Sequence, residues 1–393
     1  MQSRRSFLAV PAAFVVDWTQ WRGPNRDGTI PPEPAKPWPE RLRQIWNVKV
    51  GEGHSSPIVA ANRVYQFARV QDNEVVGAYD LESGKLVWKQ SYAAPYQMNP
   101  AATSHGKGPK STPVLSGNRL YTVGISGILT CWDSASGKKL WDLDSHGSPL
   151  YGQASSPVVD RGTLIASVGP QTGGSLTGFD AATGKVKWQW KEDGPAYASP
   201  IIAEPAGVRQ VITNSESHIV GVSVNDGKLL WKLPLKTPYD QNSVTPIVVG
   251  DMIIYSGLSN PVTAIRPGAP PQQVWENKEV GMYMNSPVLA AGVLWGLSHR
   301  NKGQFFGLNP KTGKTVWTGE GRQADNAAMI ARGSTVFALT TNSELLVFEA
   351  SASNLKQIAK YSVADTPTWA HPVLLGNRVL VKDEASLALW SAE

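Results

Sequence analysis

One unit recurs along this 393-residue chain, and repetition at a near-constant period constrains the fold more than any other feature. Each copy runs from a Ser/Thr-Pro step through an apolar strand, a Gly/Asn turn and a second strand to a third that closes on Asp-x-x-x-Gly-Lys-x-x-Trp. The copies are SSPIVAANRVYQF with AYDLESGKLVW, STPVLSGNRLYTV with CWDSASGKKLW, SSPVVDRGTLIAS with GFDAATGKVKW, and ASPIIAEPAGVRQVI with GVSVNDGKLLW. Two more follow, VTPIVVGDMIIYS with AIRPGAPPQQVW and NSPVLAAGVLWGL with GLNPKTGKTVW. The closing tryptophans, Trp88, Trp141, Trp188, Trp231, Trp275 and Trp317, are separated by 53, 47, 43, 44 and 42 residues. Four short strands at this spacing predict a β-propeller, an all-β ring of four-stranded antiparallel blades.

Two further units are degenerate: AAMIARGSTVFAL with VFEASASNLKQI, and AHPVLLGNRVLVK with LALWS. The last lacks an outer strand, and RLRQIWNVKV supplies one, with Trp46 lying 42 residues before Trp88. Pairing the chain ends closes the ring and removes its open edge. The count is eight blades, with seven left open if residues 326–363 form no full blade. Within each unit, glycine supplies the positive φ of the turn and Asp or Asn caps it. Trp46 and the six other tryptophans are expected to dock blade on blade, since their period is that of the blade.

The 37 glycines and 29 prolines agree with many turns, and no apolar run reaches the roughly 18 residues of a membrane helix. Arg4 and Arg5 before the apolar run to Val16 read as a twin-arginine export signal, which predicts a periplasmic or extracellular protein. The expected organisation is a signal over 1–16, an extension over 17–42 packed on the ring, and the propeller over 43–393. Cys131 is the only cysteine, so no intramolecular disulfide forms; its place in an apolar strand predicts an inert buried thiol. Without residues 1–16 the formal charge falls from +6 to +4, with no basic run to suggest nucleic acid. A monomer that does not span a membrane is the expectation.

The Gly-Lys-x-x-Trp units from about residue 46 to 391 resemble the pyrroloquinoline-quinone-like repeat family, and DWTQWRGPNRDG resembles the segment that precedes the ring in exported members. Trp18, Trp21 and Arg22 are expected to pack that segment against the last blade. The resemblance implies two activities. One branch comprises calcium- and quinone-dependent alcohol and sugar dehydrogenases; the other comprises cofactor-free scaffolds, including a periplasmic propeller that assists outer-membrane β-barrel assembly. The alcohol dehydrogenases commonly clamp the quinone with vicinal cysteines, which this chain lacks. A scaffold binding a protein, glycan or small molecule is the first reading, a quinoprotein oxidoreductase the alternative, and a carbohydrate-binding or carbohydrate-active propeller the second alternative.

Any site belongs where loops converge, just before each innermost strand. Those positions hold His54, Lys110, Gln153, Tyr197, Asn242, Tyr283, Asn285, Asp325, Asn326, Trp369 and His371. Such variety on a regular frame is what a binding site requires. Asp325, Asn326 and Asn285 are the candidate oxygen ligands for calcium, His54 or His371 a base, and Trp369 or Tyr197 a stacking surface. Tyr197, Tyr283 and Trp369 keep the carbohydrate reading open. The longest insertion, 92–110, adds Tyr96, Met98 and His105 as candidate contacts.

Overall fold

A computed structural model describes residues 17–32 and 38–393; the expected export signal lies outside the described residues. Eight four-stranded antiparallel blades form the molecule. Blade 1 comprises Ile58–Ala60, Arg63–Val70, Asn73–Asp80 and Leu86–Ala93, from the axis outward. Blades 2 to 6 repeat this order and begin at Val114, Val158, Ile201, Ile247 and Val288. Blade 7, the degenerate copy, is complete, with strands Ala327–Arg332, Thr335–Thr340, Glu344–Glu349 and Lys356–Ser362. Blade 8 takes three strands from the C-terminus and its outer strand, Arg43–Lys49, from the N-terminal side. That strand runs antiparallel to Ser386–Ser391, from Arg43 opposite Ser391 to Lys49 opposite Ser386, so the ring is closed by a ladder.

The Ser/Thr-Pro step links the blades at the axis. Proline has no N–H, so the residue before it carries the last donor ahead of each innermost strand. In blade 1 the Ser56 N–H donates to Thr112 Oγ1 of blade 2 at 3.1 Å, and Thr112 N–H donates to Ser156 Oγ at 2.9 Å. The series continues from Ser156 to Ser199, Ser199 to Thr245 and Thr245 to Ser286, at 2.9–3.0 Å. His371 N–H of blade 8 closes onto Ser56 Oγ at 2.8 Å. Blade 7 has Asn326-Ala327-Ala328 instead of the step. Freed of proline, its innermost strand is six residues long where the others have three, and Thr29–Ile30 adds to it in parallel as a fifth strand.

At the periphery the link is a tryptophan over a glycine. All eight outer strand pairs carry a register shift beside the closing position, a tryptophan in seven blades and Ala359 in blade 7, which turns that strand toward the next blade. Trp46 lies over Gly84 of the next blade's turn, and Trp88 over Gly137, with indole N–H groups donating to Leu81 O at 2.9 Å and Ser134 O at 3.0 Å. Both glycines have positive φ, and a Cβ would fall 2.8 Å from the Trp46 ring or 2.5 Å from the Trp88 ring. Trp231 and Trp317 are the exceptions, since the turns of blades 5 and 7 lack the glycine; Trp317 Nε1 still donates to Ser351 O of blade 7 at 3.2 Å. Blade 5 has a proline-rich turn without the glycine, and Trp231 Nε1 bonds instead to Gln210 of its own blade at 2.6 Å.

Gly137→Ala therefore combines a disfavoured left-handed backbone with a clash against a docked ring. It is expected to cost roughly 1–3 kcal/mol, seen as a lower urea midpoint at unchanged slope. An unchanged midpoint would mean that the tryptophan–glycine contact does not hold adjacent blades together.

Candidate functional site: a funnel closed from below by the leader

The leader, residues 17–32, crosses the axis, so its hydrogen bonds reach six blades and Trp21 also meets His371 of the last. Trp18 exchanges backbone hydrogen bonds with Val59 of blade 1, and Thr19 O accepts from Leu115 N of blade 2. Arg26 donates to Ser156 O and Pro157 O of blade 3 at 2.9 Å and to Pro200 O of blade 4 at 3.0 Å. Arg22 Nη2 reaches Pro287 O of blade 6, and Gly28 O accepts from Ala331 N of blade 7. These arginines thus bond the carbonyls of the Ser/Thr-Pro steps, acceptors that no ladder uses. Burial pulls Arg22 down to about 10 and Arg26 to about 9, so both remain cationic at neutral pH.

Above this floor lies a cavity of about 270 Å³ at the N-terminal ends of the innermost strands. Of the residues singled out in the sequence, His54, Lys110, Tyr197, Tyr283, Asn326, Trp369 and His371 line it. Trp21 rises from the leader to join them, its ring edge-on to His371 at 5.2 Å. The long insertion forms one wall: Asn99 caps a 3₁₀ turn, Pro100–His105, and His105 packs edge-on to Trp369 at 4.7 Å. Opposite stand Tyr151 and Tyr197, with ring centroids 5.8 Å apart.

Four expected site residues lie elsewhere. Gln153, Asn242 and Asn285 are buried and spend their amides on the backbone of the scaffold. Gln153 Nε2 donates to Ser167 O at 2.9 Å, Asn242 Nδ2 to Leu235 O at 2.7 Å, and Asn285 Nδ2 to Leu297 O at 2.9 Å. Asp325 is exposed outside the cavity. The expected oxygen set of Asp325, Asn326 and Asn285 therefore does not converge. No aspartate or glutamate lines the cavity, and no group of three metal-binding side chains occurs among the described residues. Calcium needs several carboxylate or carbonyl oxygens, and hydride removal from an alcohol needs a base. The residues here do not fit that pair of requirements. Cys131 is fully buried in blade 2, where burial pushes its thiol up to about 12.

The cavity is cationic instead. Lys110 Nζ donates to Tyr151 O at 2.8 Å, and burial lowers its ammonium to about 8. Lys382, buried beside the wall, donates to Gly53 O at 3.1 Å and is likewise held near 8 by burial. Burial first, then His105, Lys382 and Lys110, push His54 down to about 3, and His371 is also pushed down by burial and by Arg22. Sequence reading missed Tyr151, Gln241 and Lys382. Tyr151 and Gln241 share loops with singled-out neighbours, whereas Lys382 comes from a strand end whose position only the ring reveals.

Two consequences are measurable. The contribution of neutral His54 is complete above its unfolded value near 6.5 and is lost as pH falls through its folded value near 3. His54→Gln should therefore gain stability relative to the native chain as pH drops from 7 to 4; parallel melting curves would show an exposed imidazole. Arg26→Ala leaves three carbonyls without their donor and should cost roughly 2–4 kcal/mol by urea unfolding. A loss within error would show that the leader does not brace the ring.

The family model described as "Outer membrane protein assembly factor BamB" matches residues 71–319, well over half of the chain. A relative of that name from Shewanella oneidensis is 24% identical over 221 residues, 52% of this chain and 54% of that protein. One from Yersinia pestis is 22% identical over 296 residues, 70% of each. The match thus spans about half the length of the first relative and more of the second. Among solved structures, BamB from Moraxella catarrhalis superposes with a TM-score of 0.65 at 14% identity, covering 89% of this chain and 97% of that one. The quinohemoprotein alcohol dehydrogenase of Comamonas testosteroni superposes at 0.71 and 14% identity, covering 96% and 80%; at such identity both show the fold alone. Repeat, ring and family match agree: the chain belongs to the family of PQQ-like-repeat propellers described as outer membrane protein assembly factor BamB.

Proposed function

We infer that this chain is a scaffold that holds protein partners during assembly of outer-membrane proteins, with the funnel-mouth face as its contact surface. The observation that carries this reading is the family match over residues 71–319, which runs from blade 1 through the outer strand of blade 6. The family assignment carries a periplasmic or extracellular address with it. No described helix is long and apolar enough to cross a membrane.

The chemistry of the funnel supports binding over turnover. Its polar groups are a lysine, neutral histidines, hydroxyls and amides, with no carboxylate to take a proton from an alcohol. Around the mouth, Leu150 is 50% exposed and Tyr239 73% exposed, beside Tyr151 and Gln241 of the lining. Apolar side chains of this size at a rigid rim are the material of a protein contact.

The test is a deletion in the source bacterium, reading the amount of folded outer-membrane β-barrel protein by heat-modifiable mobility. The deletion should lower it, the native chain should restore it, and the double variant Leu150→Glu, Tyr239→Glu should not, while melting as the native chain does. Normal barrel levels in the deletion would overturn the reading. So would calcium- and quinone-dependent dye reduction by the purified protein, which the lining gives no means to support.

A further inference from the structure

The funnel has a chemical character that a protein-docking face does not need. Its volume of about 270 Å³ lies just under the roughly 300 Å³ at which small-molecule pockets begin, room for one ring system and not for a polymer. It is shut below by the leader, so a ligand has one way in. Aromatic faces stand on two sides: Trp369 with His54 and His105, and Tyr151 with Tyr197. Between them stand Ser243, whose hydroxyl donates to Tyr283 O, Gln241, whose Oε1 accepts from Tyr283 OH while its Nε2 stays available, and Asn326. His54 Nε2, His371 Nδ1 and Asn326 Oδ1 have no partner within the chain.

The lining carries charge of one sign. Lys110 reaches the cavity with one of its three donors used on Tyr151 O, and Arg22, Arg26 and Lys382 lie buried around it. Asp27 lies by Arg22, and Asp383, Glu384 and Glu52 by Lys382, but no acidic side chain lines the cavity, which leaves Lys110 as the cation without a carboxylate partner. A cation partly removed from water and lacking a carboxylate partner calls for an anion. A flat hydrocarbon acid would satisfy the lysine and the aromatic rings but would leave the Gln241 amide N–H groups and the free lone pairs of the wall oxygens without a ligand partner. A polyhydroxylated ring with an acid group suits this lining: its C–H face lies on an aromatic ring, its hydroxyls meet Gln241 Nε2 and the wall oxygens, and its carboxylate meets Lys110.

We propose that the funnel is a binding site for a single acidic sugar, a pyranose carrying a carboxylate, held by Lys110 and stacked against Trp369 or the Tyr151–Tyr197 pair. This goes beyond the scaffold reading and does not rest on it. The site binds; nothing in the lining would cleave or oxidise the sugar.

The experiment is calorimetry with the purified full chain, monitored in parallel by tryptophan fluorescence, since Trp21 and Trp369 both line the cavity. The probes are sodium glucuronate, glucose and sodium acetate. Glucuronate should bind saturably, glucose about tenfold to a hundredfold more weakly, and acetate not measurably. Lys110→Gln should bring glucuronate down to the affinity of glucose, and Trp369→Ala should weaken both. Absence of saturable glucuronate binding, equal affinity for glucuronate and glucose in the native chain, or acetate displacing glucuronate at equal concentration would overturn the proposal. The comparison of glucuronate with glucose needs no variant, so it decides even where a substitution fails to fold. Failure here leaves the scaffold reading intact, because barrel levels in the deletion are read independently of sugar.

Discussion

Blade-to-blade hydrogen bonding at the axis is the constraint on which this molecule depends. Neighbouring innermost strands are too divergent to form a ladder, yet each ends in a buried N–H that must find an acceptor. Serine or threonine before proline solves this: the residue donates its N–H to the hydroxyl of the following blade and offers its own hydroxyl to the preceding one. Six such bonds, each contributing about 1 kcal/mol net, tie seven of the eight blades into an arc that is open only at blade 7. Where the motif is missing, at Ala327 in blade 7, the backbone solves the problem differently, with a longer strand paired to Thr29–Ile30.

The same logic repeats at the periphery with different chemistry. A bulged outer strand carries a tryptophan to the next blade's turn, and the turn carries a glycine because only glycine accepts both the left-handed backbone and the ring above it. The two links sit at opposite radii of each blade, which fixes the angle between blades. Since each blade buries its faces only against neighbours, closure by Arg43–Lys49 is a condition for the whole ring.

Function enters through what the ring leaves unsatisfied. The inward carbonyls of the Ser/Thr-Pro steps would be exposed in an open channel; Arg22 and Arg26 of the leader take them up and turn the channel into a cup. The cup inherits a floor of buried positive charge, a tryptophan from the leader, and the loop residues before each innermost strand. No carboxylate lines the cup, and function has to be argued from that lining and not from the fold.

Much of this was legible in the residues. Period gave the blades, the half-unit at the C-terminus gave the closure, and the position before each innermost strand gave seven of the residues that meet in the funnel. Gln153, Asn242 and Asn285 were misread because a polar residue at a converging position can turn inward to serve the scaffold, and sequence does not record which way it turns. The degenerate blade 7 was hard to count because the features that fail there, proline and glycine, are the ones that announce a blade. The sequence by itself determined the architecture, because strand period, turn glycines and Ser/Thr-Pro steps are local and recur in most of the blades. Only the tertiary structure decided that the leader threads the axis and that Lys110, His54 and Trp369 share a wall without a single acid. Those facts arise from contacts between residues tens to hundreds of positions apart, and no local pattern encodes them.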